Sequence, residues 1–362
     1  TLIALAAARV AAESGLTTTI LTHRIQLQAQ YTEYQPAIAS ATGRQNHPCV
    51  RDDAAPGTTA ANAICTEGLD CELATAYLPS DIPCPYYRQR EVANASKVRV
   101  LNYAYWLRQI PLNRFRASLL ICDEGHQLDD EVLRGSTAEL EVDATPRGPL
   151  LIQNPQLITW ARSRQLEART EEAKYLQQRR RIPGHLRQLL ANLERVLALE
   201  GKLTIVGQRG KVLTFSPALP EQFAPSILAQ AASKVVLMSA SIFGPRYWVE
   251  ALGFAESDVE FIDVPSTFPA ERRKIYYLPV ARMNNSSQRD PEILAAITDK
   301  IDWIIEQYQG RKGIVHCVSY WLGNAIKERS RFADRMIVGG ASALEEFLRS
   351  KDGVYVSPTA IE

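Results

Sequence analysis

The stretch "RFRASLLICDEGHQL", residues 114–128, restricts the fold more than any other part of the chain. Leu119 to Cys122 run apolar without alternation, as in a strand covered on both faces, and such strands belong to parallel sheets flanked by helices. The run ends in Asp123 and Glu124. In open α/β sheets the chemistry lies at the carboxyl ends of the strands, so the acid pair stands where such a sheet works. "TTTILTHRIQLQAQY" (17–31) supplies the same rhythm, a β-rich run that passes at Thr22 into a helical pattern. "SKVVLMSAS" (233–241) reads as a further buried strand ending in small hydroxyl residues. Past Pro269 a second α/β unit begins, with strands expected at "RKIYYLPV", "KGIVHCVSY", "DRMIVGG" and "DGVYVSPT" and a helix at "DPEILAAITDKIDWIIEQY". A chain of 362 residues exceeds one compact core. The expectation is two α/β lobes.

Two segments break the first lobe. Residues 45–90 carry Pro, Gly, Asp and Asn throughout and hold four of the six cysteines. From 132 to about 200 the pattern is helical, with Asn154 as N-cap, Pro155 opening one helix and Gly201 closing the next. "KLTIVGQRGKVLTF" (202–215) follows as a hairpin about a Gly-containing turn. A net charge of +1 supplies no long-range attraction for phosphate, so a nucleic-acid surface has to be local. No apolar run reaches the ~20 residues of a membrane helix. Six cysteines at this length do not make a disulfide scaffold, and the expected compartment is reducing and cytoplasmic.

Asp123-Glu124-Gly125-His126 carries the most chemistry. Nucleotide hydrolases place one carboxylate to hold Mg²⁺ and another to orient the attacking water, both facing the phosphates. His126 has no second His at zinc-pair spacing and reads as a hydrogen-bond partner. Cys49, Cys65, Cys71 and Cys84 are separated by 15, 5 and 12 residues. Four thiolates suit a [4Fe-4S] cluster or a structural zinc ion, and spacing leaves both open, although zinc ribbons favour tight C-x₂₋₄-C knuckles that are absent here. With few apolar residues, the segment is expected to fold around bound metal. Cys122 and Cys317 read as core thiols.

"CDEGH" resembles the DEAH box of superfamily 2 helicases, with Gly in place of Ala. In that family's order, "TTILTHRIQLQAQY" resembles motif Ia, "VVLMSAS" motif III, "GIVHCVSYW" motif IV and "VYVSPTAIE" the start of motif V. The XPD/DinG branch adds a cysteine-rich insertion between motifs Ia and II, then a C-P-Y-aromatic stretch and an N-Y pair. Here "CPYYRQR" (84–90) and "VLNYAYWL" (100–107) are similar to these, and "VPSTFPAERR" to the branch's linker between lobes.

The resemblance implies two RecA-like lobes, the first carrying an iron-sulfur insertion and a helical arch. The implied order is lobe one (1–44), cluster domain (45–90), lobe one with the acid box (91–131), arch (132–201), lobe one with motif III (202–268), and lobe two (269–362). It implies an ATP-dependent DNA helicase, 5′ to 3′, in repair or replication. The implied site is Asp123, Glu124 and His126 for catalysis, Asp123 and Thr1 for Mg²⁺ and ATP, Glu362 in motif V, and a [4Fe-4S] cluster on the four cysteines. DNA contacts are expected from Thr22, Gln30, Tyr86, Tyr87, Arg88, Arg90, Tyr103, Ser239, Ser241, Ser319 and Tyr320, because single-strand grooves combine basic groups with aromatic platforms. Arg179 to Arg181 read as a solvated helix end.

No G-x-x-x-x-G-K-[ST] loop occurs, and "TLIALAAARV" resembles the helix that follows such a loop. The chain therefore reads as truncated at both ends and inactive alone, a monomer that works on single-stranded and forked or duplex DNA in its complete form. The alternatives are a non-catalytic, metal-containing nucleic-acid module and part of a helicase-like nuclease fusion.

Overall fold

A computed structural model describes residues 1–63, 65, 71–74, 76–141, 155–178, 182–242, 244–272, 274–284 and 287–358. Asn154, Arg179 to Arg181 and Glu362 lie outside the described residues. The chain divides into two compact units, Thr1–Asp263 and Val264–Glu362.

The first unit begins with α1 (Leu2–Glu13), an Ala-rich helix whose Ala4, Ala8 and Ala11 are buried at helical spacing. Next come β1 (Thr18–Thr22), α2 (Ile25–Tyr34) and β2 (Ala39–Ala41). After the cysteine-rich segment follow α3 (Pro85–Ala95), β3 (Val98–Asn102), α4 (Tyr103–Gln109), β4 (Ala117–Asp123) and α5 (Leu128–Ser136). The helical insertion contains β5 (Ala138–Glu141), α6 (Pro155–Gln177), α7 (Gly184–Ala198), β6 (Thr204–Arg209) and β7 (Val212–Pro217). The lobe closes with α8 (Ala224–Ala231), β8 (Ala232–Met238) and α9 (Pro245–Leu252).

Five strands form one parallel sheet in the order β2-β3-β1-β4-β8. Ile20, Leu21, Leu120, Ile121 and Cys122 are fully buried, as continuous apolar runs in central parallel strands should be. The strand at 233–241, expected to be buried, is an edge strand with Val236 39% exposed. Register puts the strand ends together: Thr22 lies opposite Asn102, and Asp123 opposite Met238. Thr22, Asn102 and Asp123 thus end their strands at one carboxyl edge, with Ser239 directly after β8.

The two insertions differ in how they are buried. The cysteine-rich segment lends Ala60, Ile82, Cys84 and Tyr86 to the core that also holds Leu101, Trp106 and Leu120. The helical insertion has its own core, in which Leu186, Leu190, Leu193 and Val196 of α7 pack with Leu140, Leu213 and Phe215. This core takes in the hairpin, because β7 pairs with both β5 and β6 in an antiparallel sheet. The insertion therefore extends beyond the 132–201 expected from helical patterning, and α5 belongs to the main core through Leu128 and Val132.

The second unit contains α10 (Pro291–Gln307), β9 (Gly313–His316), α11 (Tyr320–Arg329), β10 (Met336–Val338), α12 (Ala341–Arg349) and β11 (Val354–Ser357). Its parallel sheet runs β10-β11-β9. Asp290 caps α10 through its side chain, followed by proline at the first turn. The strand expected at "RKIYYLPV" does not form: residues 274–280 have no regular structure, and Ile275 and Tyr277 are 94% and 87% exposed. An apolar β-prone sequence becomes a strand only where a partner supplies hydrogen bonds, and none of the described sheets takes it up.

Candidate nucleotide site and cysteine segment

At the end of β4 the backbone turns sharply. Glu124 has φ 53°, a left-handed conformation that a non-glycine residue adopts at a cost of about 1 kcal/mol or more. The Glu124 side chain is left 42% exposed. Gly125 makes the turn possible for a second reason. A Cβ there would lie 2.9 Å from Leu237 Cβ and 3.2 Å from Leu237 Cα. The box packs directly on β8, so any side chain at this position would force β8 to shift.

That contact brings the end of β8 onto the acids. His126 Nδ1 and Ser239 Oγ share a hydrogen bond of 2.8 Å, and Nδ1 lies 3.3 Å from Glu124 Oε2. Ser239 Oγ donates to the same carboxylate oxygen at 3.4 Å. The Ser241 N–H donates to Ser239 Oγ. Glu124, His126 and Ser239 are thus one network, drawn from parts of the sequence more than a hundred residues apart.

Asp123 is held separately. Its Oδ2 accepts from the Tyr31 hydroxyl at 2.6 Å, and its Oδ1 accepts from the Glu124 N–H at 3.1 Å. Thr1, the N-cap of α1, is itself a hydrogen-bond partner of the Tyr31 side chain. The Tyr103 hydroxyl donates to the Asp123 carbonyl at 3.0 Å. Burial, reinforced by Asp123, holds the Tyr31 phenol far above its ordinary pKa, so the hydroxyl is a donor at neutral pH. Burial also pushes the Cys122 thiol up to about 12, which leaves it an inert core group. Sequence reasoning missed Tyr31. Its only signal was helical spacing from Gln28, which read as part of a motif rather than as a reach toward Asp123.

The residues expected to contact DNA fall into two sets. Tyr103 is fully buried with its hydroxyl committed to Asp123, so no base can stack on it in this arrangement. Tyr86 is buried too, edge-on to Tyr87 and beneath Arg44, whose guanidinium carbon lies 4.6 Å from the Tyr86 ring centroid. Thr22 is buried and donates to the Arg24 carbonyl. Arg88 ties its guanidinium to the carbonyls of Ile82 and Pro83, and Arg90 pairs with Glu91. Gln30, Ser241 and Tyr320 are exposed. Ser319 caps α11 by accepting from the Leu322 N–H. Tyr87 is half-buried and accepts from Arg44 at 3.0 Å.

Cys49, Cys65, Cys71 and Cys84 are free thiols. Cys65 Sγ accepts from Arg44 at 3.4 Å. Among the described residues no three His, Cys, Asp or Glu side chains form a group that could hold a metal ion. The four thiols expected to share a cluster are therefore not gathered into a ligand cage in this structure.

Residues 29–144 match the DEAD_2 family, a span running from α2 across the cysteine segment to just past β5. No curated protein matches the chain. Among solved structures, one titled "XPD_Helicase" aligns over 94% of this chain and 72% of its own at 14% identity, with a TM-score of 0.50. The S. tokodaii structure titled Xpd4 covers 98% of this chain and 74% of its own at 12% identity, with a TM-score of 0.46. Residues 29–144 thus match the DEAD_2 model, and the chain as a whole shares its fold with the structure titled "XPD_Helicase".

Proposed function

We propose that this chain is the motor portion of an ATP-dependent DNA helicase, coupling ATP hydrolysis to movement on single-stranded DNA and to the opening of forked duplexes. The observation that carries this reading is the joining of Glu124, His126 and Ser239 beside Asp123 at the carboxyl edge of the sheet. In this reading Glu124 orients the attacking water: its carboxylate is accessible. His126 and Ser239 hold that carboxylate and tie its position to the end of β8. Asp123 and Thr1 would hold Mg²⁺, and the donor set fits: each Asp123 oxygen accepts a single hydrogen bond and keeps a lone pair for a hard cation. When bound, that ion neutralises charge developing on the transferred phosphoryl group.

DNA contacts in this reading come from Gln30, Tyr87, Arg88, Arg90 and Ser241 in the first unit and from Ser319 and Tyr320 in the second. A [4Fe-4S] cluster on Cys49, Cys65, Cys71 and Cys84 rests on the cysteine pattern and its place between motifs, and no step of the reaction is routed through it. The helical insertion takes the place of the arch. A 5′ to 3′ direction, a monomeric state, a cytoplasmic location and a role in repair or replication complete the proposal. Among the described residues no helix is long and apolar enough to cross a membrane.

The test uses the full-length gene product. Phosphate release should be stimulated at least tenfold by single-stranded DNA, and 5′-tailed duplexes should open faster than 3′-tailed ones. Absence of any nucleotide turnover with DNA present would favour a binding module. Anaerobic iron and zinc analysis, with the absorbance near 400 nm, decides the cysteine site: about four irons supports the cluster, and stoichiometric zinc replaces it.

A further inference from the structure

The Asp123 carboxylate is reached by Tyr31, the last residue of the stretch that resembles motif Ia, to which sequence reasoning assigned no role of its own. Tyr31 is fully buried, its ring packed among Ala4, Ala8, Ile20, Ile38, Val100 and Ile121, between α1 and the sheet. One turn earlier on the same helix face, the Gln28 amide donates to Ser40 Oγ at 2.7 Å, the Ala41 carbonyl at 2.9 Å and the Val100 carbonyl at 3.0 Å. These bonds clamp α2 to β2 and β3. A rigid ring on a clamped helix delivers its hydroxyl to Asp123 Oδ2 at 2.6 Å, the length of a charge-assisted O–H···O⁻ bond. We propose that Tyr31 is a positioning residue for Asp123, fixing the carboxylate rotamer so that its remaining lone pairs face a divalent cation, and thereby setting the affinity of the site for that cation.

This rests on the reading of Asp123 as the metal-holding acid. Partners of metal ligands commonly contribute about 10- to 100-fold in metal affinity. Tyr31→Phe keeps the ring and removes only the donor. Mn²⁺ titrations followed by EPR, on the full-length protein with ADP, should give a dissociation constant about tenfold weaker in Tyr31→Phe than in wild type. In turnover, saturating Mg²⁺ should restore the variant to within about twofold of wild type, as expected for a defect in metal binding rather than in chemistry. Equal Mn²⁺ affinity in the two proteins overturns the proposal. So does Mn²⁺ binding that Asp123→Asn leaves untouched, because Asp123 is then not the metal acid. If Mn²⁺ binds as expected and ATP is not hydrolysed, the hydrolase reading falls, and the relative affinities still decide the role of Tyr31. Should Tyr31→Phe fail to fold, 3-fluorotyrosine placed at position 31 gives a ¹⁹F resonance. It should move on saturation with Mg²⁺ and ADP, and an unmoved resonance overturns the proposal.

Discussion

The two ends of β4 carry the same backbone irregularity for different reasons. Phe115, just before the strand, and Glu124, just after it, both have positive φ, 59° and 53°. At the amino end everything is closed. Phe115 is buried, its N–H donates to Asn94 Oδ1, and its carbonyl accepts from Thr19 Oγ1. Arg99, 2% exposed, lies over the ring and donates to Thr19 Oγ1 and to the carbonyls of Asn94, Ser96 and Arg116. Burial pulls the Arg99 guanidinium down to about 10, so it remains a charged donor at neutral pH. At the carboxyl end the strained residue is half open to solvent, and its partners are the side chains of His126 and Ser239. Backbone strain alone does not mark a functional site. What separates the two ends is whether the strained residue's polar groups are fully committed or left partly available.

The largest effect expected from this contrast is catalytic. Glu124→Gln in the full-length protein should lower turnover by about 10³-fold, within the range for loss of a group acting on the attacking nucleophile, with the unfolding midpoint in urea unchanged. A variant that keeps most of its activity would put the open end on the same footing as the closed one. Next, Arg99→Met should destabilise the lobe by about 2 kcal/mol, because it removes the donor to the buried Thr19 hydroxyl and to three partly buried carbonyls, while residual ATPase per folded molecule stays near wild type. Equilibrium denaturation together with activity measures both. Gly125→Ala should cost about 2 kcal/mol through overpacking against β8 and should also disturb turnover, since the strand that must yield carries Ser239. Retained stability there would mean that β8 gives way easily. The smallest change has the opposite sign. Glu124→Gly should stabilise by about 1 kcal/mol through relief of the left-handed strain while abolishing activity. Thermal unfolding beside phosphate release reads both.

The sequence displayed its sheet through runs that needed no partner to be recognised. Leu119 to Cys122 and Ile20 to Leu21 are apolar without a break, and all but Leu119 are fully buried. Contacts that depend on register were hidden. That Gly125 touches Leu237, or that Ser239 reaches Glu124, follows from the β4 and β8 pairing, which no local pattern encodes. Residues 274–280 show the reverse failure: the β pattern is strong, yet a strand needs an edge to join. Aromatic residues misled for a third reason. A tyrosine beside arginines is equally good as a platform for bases and as a core side chain with a polar tip, and Tyr86 and Tyr103 took the second role. The acid pair stood out in the sequence as charge directly after an apolar strand, and the strand does end at Asp123. The four thiols were legible as a pattern, and the structure does not gather them.

The cysteine-rich segment joins the lobe's interior through Ala60, Ile82, Cys84 and Tyr86 rather than through a core of its own. It is consequently not a cassette that protein engineers could cut out to make a smaller motor. Excision would remove one wall of the compartment around Trp106 and Leu101, and a shortened chain would have to be re-upholstered with new apolar side chains before it could stand.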